Sequence, residues 1–321
     1  MSSPNSVFTA MVSTTMRKHY KKVVDNVTKH NGLLTVMKNK GHIKTDAEGG
    51  YEIAIPLSYA ENSTYQRYSG YDTLNIGASD VLSAAKYDWK QVALHVTASG
   101  RELKMNRSEE RMINLVKART DVAMATAANN MSIDIYSDGA LPNQIGGLGS
   151  LITSDGTGTV GGIVAGTYTF WKNKFKEISG TGATFATMKT AMNDLWLSTT
   201  RGNDKPDMIV LSHDFYSIYE GGLQDLQRYG DAKMAKLGFD ALKYKSAAVI
   251  YDDNTNFGTT SETGYFLNTD YLWLIEHPEA RWTEDDQKVP VNQDAVVVPI
   301  YWMGNMVTSN RSLQGKLMDA S

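Results

Sequence analysis

The chain has 321 residues, of which 41% are hydrophobic and 10% aromatic, and it carries a net charge of −3. That length and apolar content support two or three structural units around a sizeable core and exclude a disordered polymer. Cys is absent, which excludes disulfides, iron–sulfur clusters, cysteine zinc sites and a thiol nucleophile.

The charge is unevenly placed. Residues 1–44 hold eight Lys/Arg against a single acid, Asp25, a net of +7 that leaves −10 for the remainder. Such a basic arm points to an acidic partner surface or to nucleic acid, although a solvated helix face gives the same pattern. Residues 1–10 do not read as a secretory signal. No run of about 18 apolar residues occurs, so no membrane-spanning helix is expected.

Residues 7–40 read as mostly helix, with Phe8, Val12, Met16, Tyr20, Val23, Val24 and Val27 at helical spacing. Arg17, Lys18, Lys21 and Lys22 flank this stripe. Asn31-Gly32 interrupts the pattern and Lys40-Gly41 ends it. From Asp46 to Gly50 the sequence is turn-like. Tyr51 to Leu57 alternates as a strand, Thr64 to Ile76 is β-prone around a turn at Ser69-Gly70, and Ala85 to Thr97 reads as one long strand. Together, 45–98 read as a long projecting hairpin, too polar and aromatic to form a core layer. A lone hairpin is marginal in water, so it should rest on something else.

Residues 100–137 return to helix, with Ser108 as N-cap, Glu109 and Glu110 in the first turn, and Met112, Ile113, Val116, Ala123, Ala127 and Met131 on one face. A helix of about thirty residues would be a spine roughly 45 Å long. A Gly-rich connection follows at 139–166. Beyond it the pattern is α/β-like, with helices at 185–197 and 215–228 and short apolar strands at 208–211, 247–251, 265–267 and 271–275. A long strand spans 294–307, where Pro299 points to an edge or a bulge.

Catalytic motifs are wanting. His19, His30, His42, His95, His213 and His277 show no paired metal spacing. The stretch Gly156 to Gly161 matches a dinucleotide-binding pattern but follows turns instead of a strand, so chance among 27 glycines accounts for it. Neither a P-loop nor a Gly-x-Ser-x-Gly elbow is present. Asp252-Asp253 and Asp285-Asp286 read as solvated turns, with cation binding the alternative. No catalytic residue, cofactor or metal is assigned. The sequence offers surfaces for contact instead of a pocket.

Seven segments carry a resemblance: AENSTYQRYSGYDTLNI (60–76), YDWKQ (87–91), NNMSIDIYSDG (129–139), NQIGGL (143–148), FLNTDY (266–271), VNQDAVV (291–297) and NMVTSNRSLQG (305–315). With the order of elements, they resemble the major capsid proteins of tailed bacteriophages, covering most of the chain from about residue 20 onward. The resemblance implies an α+β fold of the Hong Kong 97 type. Its parts would be an N-terminal arm (1–44), an E-loop hairpin (45–98), a P domain with the spine helix (99–177), an A domain (178–270), P-domain return strands (271–310) and a C-terminal tail (311–321).

It implies self-assembly into hexamers and pentamers of a DNA-filled icosahedral virion shell, built in the bacterial cytoplasm. About forty-four residues precede the hairpin, too few for the long cleaved leader of the founding member, so a separate scaffolding protein is expected. A portal, a decoration protein and non-specific packaged DNA are the other partners implied. Tyr65, Arg67, Tyr68 and Tyr71 on the hairpin, with Phe8, Val12 and Tyr20 on the arm, are the candidate contacts between subunits. Arg17, Lys18, Lys21 and Lys22 are the candidate contacts to DNA or scaffold. An encapsulin-type compartment enclosing an enzyme cargo and a soluble hydrolase remain the alternatives.

Overall fold

The computed structural model describes residues 31–45, 50–77, 79–105, 109–178, 182–224, 242–253, 255, 257, 262–286, 288–289 and 292–319. Helix α1 (Gly32–Asn39) starts where the sequence pattern breaks, because Asn31 is its cap. The Asn31 Oδ1 accepts from the N–H groups of Leu33 and Leu34 at 2.9 and 3.2 Å. Gly41, at φ +72°, ends that turn. Strand β1 (Ile43–Thr45) follows. Strands β2 (Glu52–Ser58) and β3 (Leu82–Asp88) form a hairpin in register Ile53↔Tyr87 to Ser58↔Leu82.

The single strand expected over 85–97 is two strands. Trp89 separates β3 from β4 (Lys90–Ser99), which belongs to another sheet. The hairpin therefore spans 52–88, and its base does enter the core, since Ile53, Leu57, Ala85 and Tyr87 are buried. The β-prone stretch at 64–76 forms no strand. Side chains shape it instead. Gln66 Nε2 donates to Thr73 O at 3.1 Å, and Asp72 Oδ2 accepts from Ser69 N–H at 2.7 Å. Its alternation misled because this segment packs against neither sheet, so alternate positions have no buried side to face.

The expected spine is α3 (Glu109–Asp134), and a short helix α2 (Gly100–Met105) precedes it. The Ser108 cap lies outside the described residues. At 26 residues α3 is about 39 Å long. Thr120, Met124, Ala127, Ala128 and Met131 line its buried face at three- and four-residue steps. The Gly-rich connection holds α4 (Leu148–Leu151) and a minimal hairpin, β5 (Thr159–Val160) and β6 (Ile163–Val164), turned by Gly161 and Gly162 at φ +59° and +73°. No helix follows Gly162 directly, as the dinucleotide motif requires.

The remaining elements are β7 (Lys174–Ile178), α5 (Phe185–Thr199), β8 (Met208–Ser212), α6 (His213–Gln224), β9 (Leu242–Tyr244), β10 (Ala247–Asp252), β11 (Thr263–Leu267), β12 (Leu272–Glu284), β13 (Ala295–Thr308) and β14 (Gly315–Asp319). Of these, β7, β9 and β14 were not expected, β12 runs on well past 275, and residues 225–228 of the second expected helix lie outside the described residues. Two sheets result, ordered β1-β12-β13-β4 and β7-β14-β11-β8-β10-β9. The segment read as a C-terminal tail supplies β14, an inner strand bonded to β7 and β11.

Pro299 lies on an inner strand, which corrects the expected edge or bulge. Its carbonyl accepts from Asp285 N–H. Its nitrogen faces the same side, just past Glu284, where regular pairing with β12 ends. The missing N–H therefore forgoes only the last bond toward β12 and leaves the ladder to β4 intact.

The six-stranded sheet is buried on both faces, which explains the unbroken apolar runs of β8 and β10. Met208, Val210, Ala248, Ile250, Tyr265 and Leu267 join the larger core with α1, α3 and the four-stranded sheet. Ile209, Leu211, Val249, Phe266 and Leu317 face the smaller core under α5 and α6.

Candidate assembly surfaces

The hairpin is fixed at its base and unsupported at its tip. Tyr87 OH donates to Thr308 O at 2.8 Å, and Gly161 O accepts from Lys86 N–H at 2.9 Å. Asn305 Nδ2 donates to Asp88 O at 2.8 Å, while its Oδ1 accepts from Gly146 N–H at 3.0 Å. Burial pushes the Tyr87 phenol well above its ordinary pKa, so it stays a donor. At the joint between β3 and β4, Trp89 Nε1 donates to Gly50 O at 3.0 Å and its ring meets His277 edge-on at 5.6 Å.

Beyond Tyr59, which stacks obliquely on Phe170 at 6.1 Å, the hairpin leaves the body. Tyr65, Tyr68 and Tyr71 are 81, 66 and 106% exposed, and Arg67, Leu74 and Ile76 are exposed beside them. The sequence therefore located a cluster of exposed aromatic side chains, and these tyrosines do not pack on their own hairpin. So much apolar surface on one projection is characteristic of a contact surface. Phe8, Val12, Arg17, Lys18, Tyr20, Lys21 and Lys22 lie outside the described residues.

Two polar anchors were not found from sequence. Arg311 is wholly buried. Its Nε donates to Leu151 O at 2.6 Å, and its Nη2 to Thr153 Oγ1 and Thr157 O at 2.7 and 2.9 Å. Burial draws its pKa down to about 10, opposed by Tyr87 and Asp155, which keeps it protonated at neutral pH. Asn31 is the second. Its Nδ2 donates to Ser132 Oγ at 3.0 Å and to Asp252 Oδ2 at 3.2 Å, and Asp252 Oδ2 also accepts from Tyr136 OH at 2.8 Å. The start of α1 is thus tied to the end of α3 and the end of β10. The Asn31-Gly32 pair was visible as a break in periodicity, but an N-cap and a turn look alike in sequence.

A third feature is an open groove of about 660 Å³ on the outer face of the four-stranded sheet. It arises because β12 carries three extra residues between Glu276↔Gly304 and Arg281↔Trp302, so 277–280 stand away from the ladder. Trp282, buried at φ +56°, is held in that unfavourable conformation by packing on Trp302 at 6.1 Å. Glu276 completes the lock, accepting from Trp302 Nε1 at 2.8 Å and Arg281 Nε at 3.0 Å. Among the described residues, no three His, Asp or Glu side chains converge as a metal site, and no helix is long and apolar enough to cross a membrane.

No protein-family model and no curated protein sequence matches the chain. Solved structures do. The capsid asymmetric unit of cyanophage A-1(L) is similar with a TM-score of 0.63 at 14% identity, covering 91% of this chain and 93% of that one. The capsid of the native GTA particle gives 0.51 at 11% identity, covering 88% and 89%. That of Myoviridae phage XM1 gives 0.51 at 16%, covering 88% and 91%. At these identities the likeness is one of fold. The chain has the α+β phage capsid fold of the Hong Kong 97 type.

Proposed function

We propose that this chain is a major capsid protein whose copies assemble through hexamers and pentamers into an icosahedral shell around phage DNA. The observation that carries the reading is the likeness of 91% of this chain to a cyanophage capsid structure, and the projecting hairpin, whose aromatic tip this chain alone does not cover, supports it. In this reading the hairpin at 52–88 is the E-loop. The four-stranded sheet with α3 is the P domain, and the six-stranded sheet with α5 and α6 is the A domain near the capsomer axis.

Tyr65, Arg67, Tyr68 and Tyr71 would seat on a neighbouring subunit, and the arm at 1–30 on another; residues 31–44, expected in the arm, instead pack within their own chain through α1 and β1. Each contact is modest, but many per subunit make a closed shell effectively irreversible. A separate scaffolding protein, a portal and a decoration protein belong to the same proposal, as do assembly in the host cytoplasm and salt-sensitive, non-specific contact with packaged DNA. The function is one of geometry, with no reaction assigned to any residue.

Negative-stain microscopy and sedimentation of the purified full chain test this. Uniform shells, or rings of five and six subunits, are expected. A chain that stays monomeric at high concentration would overturn the proposal. Shells that enclose a co-expressed enzyme and exclude DNA would move it to an encapsulin-type compartment.

A further inference from the structure

The groove on the outer sheet face is a second contact surface, separate from the hairpin tip. Its floor is Ala93, Tyr301 and Met303, and its wall is His277, Glu279 and Ala280 on the β12 bulge. Glu284 and Asp285 add two acids to the rim, Asp285 paired with Lys288 at 2.6 Å. Over 276–294 the sequence holds six acids and two bases, a net of −4. The wall does not depend on a partner for its shape, because Glu276, Trp282 and Trp302 already lock it. A preformed, apolar-floored and acid-rimmed groove fits a segment that is apolar on one face and basic beside it.

One stretch of this sequence has that chemistry. Residues 1–30 carry five Lys/Arg and one acid, a net of +4, beside the stripe Phe8, Val12, Met16, Tyr20, Val23 and Val27. The hairpin tip does not match, since residues 59–81 hold Glu61, Asp72 and Asp80 against Arg67, a net of −2. We propose that the groove between the β12 bulge and β13 receives the basic, apolar-striped segment 8–27 of a second copy of this chain. A second copy is favoured over the same chain because Asn31 is bonded to Ser132 on α3, and α3 packs in the core beneath the opposite face of the sheet. The proposal rests on the assembly reading above and supplies the acceptor for the arm that this reading leaves without one.

A benzophenone side chain placed at Tyr301 tests it, because photocapture does not depend on knowing the register. Full-length variant chains are assembled with isotope-labelled wild-type chains, irradiated and analysed by mass spectrometry. The expected adduct joins position 301 to a labelled peptide from residues 8–27. Capture of residues 59–81, capture within one chain only, or no capture in well-formed particles would each overturn the proposal.

A charge swap gives an independent reading. Glu279→Lys with Glu284→Lys should raise the concentration needed for assembly roughly tenfold, and added Lys21→Glu with Lys22→Glu should restore it. Absence of restoration when both parents fold counts against the pairing. The two proposals can fail separately. Shells without arm capture leave the capsid reading intact, whereas arm capture in an oligomer that never closes removes the capsid reading and keeps the groove.

Discussion

Asn31 Nδ2 donates to Asp252 Oδ2 at 3.2 Å across 221 residues of sequence. The same side chain caps α1 and donates to Ser132, so one residue fixes where the arm leaves the body. Asn31→Ala removes the cap and leaves buried acceptors short of a donor, at a cost of about 2–3 kcal/mol. Asn31→Asp keeps the cap but sets a carboxylate against Asp252, and should be no more stable than Asn31→Ala. Denaturant unfolding of both variants checks this. An Asn31→Asp chain as stable as wild type would show that the cap alone matters.

The buried tyrosines make the fold sensitive to alkali. Burial, with Asp252 adding to it, pushes Tyr136 well above its ordinary value of 10.0, and burial does the same to Tyr265. A phenol raised in the folded state favours folding fully below its unfolded value of about 10 and less so as pH rises beyond it. Unfolding midpoints should therefore be level from roughly pH 8 to 9.5 and fall above pH 10. Tyr136→Phe should be less stable at neutral pH, through the lost bond to Asp252, yet decline less steeply in alkali. Equal slopes for the two chains would remove Tyr136 as the cause.

The core was legible wherever burial imposes a period. The unbroken apolar runs of β8 and β10 marked strands covered on both faces, and Ala127 and Met131 marked the buried side of α3, where Met124 and Ala128 were not anticipated. What failed lay where the partner decides. Ala85 to Thr97 reads as one strand because nothing local says that β3 pairs with β2 and β4 with β13. Tyr65 to Ile76 alternates without being a strand because it has no buried side. Of the candidate contacts, the exposed tyrosines were visible as aromatic excess. The groove was not, because it depends on three extra residues in β12 that show only against the register of β13. Nothing local marks Arg311 as buried, since its acceptors lie more than 150 residues away.

Removing the tip aromatics separates assembly from stability. Tyr68 and Tyr71 touch little in their own chain, so Tyr68→Ala with Tyr71→Ala should leave the unfolding midpoint within about 0.5 kcal/mol of wild type. If they anchor on a neighbour, each truncation costs about 1–2 kcal/mol per contact, and the concentration needed for assembly rises at least roughly tenfold. Light scattering of the assembling chain measures it. Wild-type yield from the double variant would remove the tip from the contact.

The adjacent glycines of the β5–β6 turn allow the hairpin's seat to be tested apart from backbone strain. Gly161 and Gly162 both sit at positive φ, so Ala at either costs about 1 kcal/mol of strain. A Cβ on Gly162 would meet nothing within 4 Å, whereas one on Gly161 would lie 2.9 Å from Ala85 Cβ and 3.1 Å from the Tyr87 ring. Those two side chains are the buried base of the hairpin, and neither can yield without moving β3. Gly161→Ala should therefore lose about 1–3 kcal/mol more than Gly162→Ala. It should also weaken amide protection of β2 and β3 in hydrogen exchange, because Lys86 N–H bonds to Gly161 O. Equal loss in the two variants would mean that the turn does not carry the hairpin. A selective loss, with shell yield falling alongside it, would tie the seating of the hairpin base to assembly through a residue remote from the tip.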